Sequence, residues 1–181
     1  MDFFGTLAGL ADSPRETLEN PIGIDLYRPG LAGYAVGTLS IFVFLRMGSL
    51  TPPGLFSFLA LFSAVLAANF LFAAVIHLFL EMTGAPGSAL RLFSLFGVGE
   101  FFWILLLPFG FLGKLGYLNH FLWFSLCFAV VLAVRTAFVR RLYFISRNKA
   151  LLAVWLPYIC LGAAFMAAFI YAMAWLVWMV I

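Results

Sequence analysis

Glu100 has the most chemistry to offer: it is a carboxylate in the middle of an apolar run, nine residues past Arg91. A charge in a lipid interior is costly, so an acid at that depth is a functional candidate by default. The competing reading is a protonated glutamate hydrogen-bonded to a neighbouring helix. Asn69, counted back from the intervening loop, falls at about the same depth and is the first candidate partner. His77 and Glu81 stand four apart and share one helix face. A metal would need more ligands, and the only other histidine, His120, falls at the opposite end of the spans. The pair therefore reads as the polar end of a helix at an interface, and no metal or other cofactor is expected. "GAPGS" at 84–88 lacks the GxxxxGK[ST] pattern of a phosphate loop. No nucleophile elbow, HExxH or paired-cysteine spacing is present, which argues against an enzyme. Cys127 and Cys160 both lie in apolar runs and read as small buried hydrophobes.

The elements that must position these residues follow from composition. The chain has 181 residues, 66% hydrophobic and only 9% charged, with a mean hydropathy of +1.14. Soluble domains carry roughly 25% charged residues. A chain this short leaves too much apolar surface exposed for water to be its solvent, so the solvent is lipid. The expected fold is all-α, a polytopic bundle of five transmembrane helices at about 31–45, 55–80, 92–112, 118–139 and 150–181. The last run is too long for a ~30 Å hydrocarbon core unless it tilts or bends, and Pro157 is the expected bend. Gly33 and Gly37 in the first span, and Ala164, Ala168 and Ala172 in the fifth, are small-residue rows that let helices approach closely.

The pI of about 9.1 does not indicate nucleic acid, because the basic residues follow membrane orientation instead. With the N-terminus inside, Arg15, Arg28, Arg91, Arg135, Arg140, Arg141, Arg147 and Lys149 lie on the inner side, and only Arg46 and Lys114 on the outer. Eight against two places the N-terminus in the cytoplasm and the C-terminus outside, as in a bacterial inner-membrane protein. Residues 1–30 form a short cytoplasmic segment with no basic leader. Ser13 to Glu16 reads as a helix start, and Phe3, Phe4, Leu7 and Leu10 as an apolar stripe for the membrane surface. Arg135 to Lys149, "RTAFVRRLYFISRNK", carries Arg135, Arg140, Arg141, Arg147 and Lys149 with no acid. It is a topology signal and a candidate patch for anionic lipid headgroups.

Two stretches resemble a known family. "DLYRP", with Asp25, Tyr27 and Pro29, is similar to the DLYGP motif of the Yip family of Ypt/Rab-interacting membrane proteins, with Arg28 in place of the glycine. The hairpin "HLFLEMTGAPGSALRLF" resembles that family's second motif region. Its counterparts here are His77, Gly84, Gly87, Gly97 and Pro108, and "GVGEFF" stands where the family has a Gly-Tyr pair. The resemblance implies five spans, an inward N-terminus, no catalytic activity and a role in membrane organisation or trafficking-like processes. The family's eukaryotic members bind Ras-like GTPases through a longer cytoplasmic region. The short segment here argues against a small GTPase as partner and matches the compact prokaryotic members.

The expected function is a membrane scaffold or adaptor. Its partners would be lipids, anionic ones among them, and further copies of the chain or other membrane proteins. The alternative is a small transporter or channel with Glu100 in a polar path. Asn69, Glu100, Ser94, Ser125 and Thr38 are few for such a route. Whether the corner formed by His77, Glu81, Gly84 and Gly87 also binds a partner is left open by the residues.

Overall fold

A computed structural model of the chain describes residues 9, 26–117 and 119–180. Phe3, Phe4, Leu7, Leu10, the Ser13–Glu16 helix start and Asp25 lie outside the described residues. The described chain is helical without a strand. Its helices are α1 (Tyr27–Met47), α2 (Leu55–Met82), α3 (Ala89–Glu100), α4 (Leu106–Lys114), α5 (His120–Leu142) and α6 (Arg147–Val180). A 3₁₀ segment, Phe101–Leu105, joins α3 to α4. Counting Ala89–Lys114 as one rod, five helices are long and apolar enough to cross a membrane.

Local chemistry sets the boundaries. Pro29 sits in the first turn of α1, where a missing N–H costs nothing, so the first span reaches back to Tyr27. Gly84, at φ +78°, reverses the chain after α2. Ser88 caps α3, its hydroxyl accepting from the Arg91 N–H at 3.5 Å. Asn119 caps α5, accepting from the N–H groups of Phe121 and Leu122 at 2.9 and 3.3 Å.

The last three spans differ from their expected bounds or geometry. The third is not one α-helix. Pro108 has no N–H, and its ring crowds the carbonyl four residues back, at Ile104. The chain tightens to 3₁₀ geometry over Phe101–Leu105, directly after Glu100. The fourth begins at the Asn119 cap and runs on to Leu142, which draws Arg135 well inside it. In the fifth span the helix continues through Pro157 without interruption.

Packing centres on α3, which lies against α1, α2 and α5. The α1–α3 contact is backbone on backbone. A Cβ added at Gly30 or Gly37 would lie 2.6 Å from the carbonyl oxygen of Ser94 or Glu100, and one at Gly33 would strike the Gly97 carbonyl. The small-residue row of the first span thus serves packing within the chain. Tyr34, fully buried beside it, donates to the Phe93 carbonyl at 2.8 Å and stacks on that ring. One apolar core gathers Ile76, Leu80, Leu92, Phe96, Val139 and Val154, and a second gathers Phe44, Trp103, Leu106, Cys127 and Val131. Helix α6 joins α2 and α5 through its first part, with Ala150, Ala153, Val154 and Pro157 buried. From Ile159 to Met179 every residue is exposed. Cys160 lies in that stretch, so of the two free cysteines only Cys127 is buried.

Candidate functional site: a buried ion pair where four helices meet

Four helices deliver one polar side chain each to a single point. Glu100 comes from the last turn of α3, Arg135 from α5, Asn69 from α2 and Tyr158 from α6. Glu100 is 1% exposed and Arg135 5%. One terminal nitrogen of Arg135 donates both to Glu100 Oε1 and to Asn69 Oδ1. The other donates to Tyr158 Oη at 2.9 Å. Asn69 Nδ2 donates in turn to the Val65 carbonyl at 2.9 Å. The Arg135 guanidinium also lies 4.8 Å from the centroid of the Phe96 ring, a cation–π contact.

This placement corrects one expectation. Arg135 is not part of a lipid-facing basic loop; it belongs to the bundle interior. Glu100 and Asn69 do meet at one depth, and Arg135 joins them. An arginine keeps its proton in proteins. A buried guanidinium therefore needs a counter-charge, and Glu100 supplies it as a carboxylate. Charge-assisted hydrogen bonds offset much of the desolvation of both ions. Among the described residues two polar atoms nearby lack a partner: Arg135 Nε, and the hydroxyl of Thr38, which follows Gly37 on α1.

A second cluster forms at the α2–α3 turn. His77 Nδ1 and Tyr143 Oη share a hydrogen bond of 2.8 Å, and His77 Nε2 lies 3.5 Å from Glu81. A Cβ at Gly87 would strike the Tyr143 ring. Lys149 donates to the Thr83 carbonyl at 3.1 Å. The expected polar end of α2 is thus also a seam, docking the α2–α3 turn onto the α5–α6 turn. Gly84 shapes the turn without touching that seam. Tyr27 is exposed at the start of α1 and Pro29 is buried there.

Burial, and then the Glu81 carboxylate, push the Tyr143 phenol from 10.0 up to about 12. The fold thus favours the neutral phenol. Its contribution is complete below the unfolded value and is lost as pH rises through the folded one. Between pH 10 and about 12 the thermal midpoint of the native chain should therefore fall more steeply than that of Tyr143→Phe. Equal slopes would mean that the phenol is not held in this seam.

Of the five basic residues from Arg135 to Lys149, the structure sorts three kinds. Arg135 is paired inside the bundle, Lys149 is tied to the α2–α3 turn, and Arg140, Arg141 and Arg147 are exposed. Among the described residues no group of three or more His, Cys, Asp or Glu comes together. Asn69 and Glu100 were legible as candidates; their link, Arg135, was not. Compared with protein-family models, with curated proteins and with solved structures, the chain matches none.

Proposed function

We propose that the chain is a non-enzymatic membrane scaffold or adaptor of Yip type, acting through lipids, further copies of itself or other membrane proteins. One observation carries this reading: the bundle's interior charges are spent on each other. Glu100, Arg135, Asn69 and Tyr158 bond into one closed cluster at the meeting point of four helices. Such a cluster ties helices together; a transport path needs polar groups that face water. The motif residues Tyr27, Pro29, His77, Gly84 and Gly87 support the family likeness.

With Arg135 withdrawn into the bundle, the basic residues divide seven against two, which still supports a cytoplasmic N-terminus and an outward C-terminus in a bacterial inner membrane. The second reading, a small transporter or channel, draws on the unpartnered Arg135 Nε and Thr38 hydroxyl, the groups that a wet route would touch. Proton and sodium flux into proteoliposomes separates the two. Flux no faster than through protein-free vesicles is expected. A flux abolished by Glu100→Gln in a still-folded protein would replace the scaffold with a transporter.

A further inference from the structure

Helices α5 and α6 enclose a groove of about 440 Å³ near the turn that joins them. That volume falls within the range of small-molecule sites, roughly 300–1,000 Å³. Its walls are mostly apolar, with Leu132 and Ala133 from α5 and Leu151 and Trp155 from α6, and Thr136 the one hydroxyl among them. Arg140 from one helix and Arg147 from the other also line it, and their exposure places them at its mouth. Both arginines are exposed, and neither makes a hydrogen bond or ion pair among the described residues.

Three features of this mouth are unfavourable unless an anion occupies it. Two like charges from different helices converge on one opening. Arg147 opens α6, whose first turn carries no acid, so its charge adds to the positive end of the helix dipole. The whole run from Arg135 to Lys149 also contains no carboxylate to relieve them. Below the mouth the groove follows α5 from Phe128 to Arg140, about 18 Å at the rise of an α-helix. Trp155 lines it with an amphipathic ring suited to headgroup depth.

We infer that this groove is a discrete site for one anionic phospholipid, its phosphate held between Arg140 and Arg147 and an acyl chain lying along Leu132, Ala133, Leu151 and Trp155. A charged head above an apolar slot matches a phospholipid and not a free phosphate, which would leave the slot empty. Arginine forks suit phosphate oxygens better than lysine does. Basic pockets between membrane helices are where anionic headgroups bind. This goes beyond the scaffold reading, since the site would hold lipid whichever role the bundle plays.

The test is native mass spectrometry of the purified full chain with phosphatidylglycerol, with phosphatidylcholine, and with inorganic phosphate alone. One tightly retained phosphatidylglycerol is expected, with phosphatidylcholine and inorganic phosphate retained weakly. Arg140→Gln with Arg147→Gln should weaken retention roughly thirty-fold, as the loss of two headgroup contacts implies. Arg141→Gln, exposed but outside the groove, should leave it unchanged. Ala133→Trp, at an exposed position on the groove wall, should displace the lipid with both arginines intact. Circular dichroism should show all these variants folded. Three results would overturn the site: Arg141→Gln as damaging as the pair, which means a diffuse basic surface; undiminished retention in Ala133→Trp; or equal retention of the two lipids.

Discussion

Glu100→Gln should destabilise the bundle by about 3–5 kcal/mol, because removing one partner of a buried ion pair strands the other charge. The glutamine keeps the size and a carbonyl acceptor, so steric loss is small. What it removes is the negative charge beside a guanidinium that is 5% exposed and cannot shed its proton. Arg135→Gln should cost less, since a stranded Glu100 can take up a proton. The double variant should recover most of the Glu100→Gln loss, with a coupling that additive effects would not give. Unfolding in detergent or lipid micelles, followed by circular dichroism, measures all three. A Glu100→Gln protein as stable as the native one would show that the carboxylate does not hold the guanidinium.

Glu100 and Asn69 could be found from the sequence because each is a polar residue deep in an apolar run, and residue counting put them at one depth. Arg135 was hidden for a physical reason. It sits near the basic end of its span, where a charge signals topology as readily as function, and a span over 118–139 leaves it only about one turn from that end. The capped helix runs to Leu142, which places Arg135 about 10 Å inside that end. Depth could have exposed it: a lone arginine two turns within a span needs an acid, and Glu100 is the one acid available there. The 3₁₀ break after Glu100 has a visible cause in Pro108. The long last helix was legible as a span. Its bare stretch from Ile159 to Met179 was not, since apolar residues look the same facing protein or lipid.

The second large effect belongs to the α1–α3 seam. Gly33→Ala should lower stability by roughly 1–3 kcal/mol, at the upper end because the obstacle is backbone and cannot swing aside. The added methyl would meet the Gly97 carbonyl and push the two helices apart. That displacement would also move Glu100, whose Cβ lies against Gly37 across the same seam. Gly162→Ala is the matched control. Its added Cβ meets nothing within 4 Å, and alanine favours a helix over glycine, so stability should hold or rise slightly. Thermal unfolding of the two variants compares them directly. If both behave alike, the helices are not in the close contact described.

Paired with Arg135, Glu100 should be an ionised, dry carboxylate. Infrared spectroscopy of the lipid-reconstituted protein, with isotopically labelled glutamate, reads this directly against Glu100→Gln as the blank. The difference spectrum should contain the band of an ionised carboxylate, unshifted when the sample is moved into D₂O. A protonated carbonyl band, or a carboxylate band that shifts in D₂O, would mean that the pair is absent or wet, and the bundle would no longer be a closed scaffold.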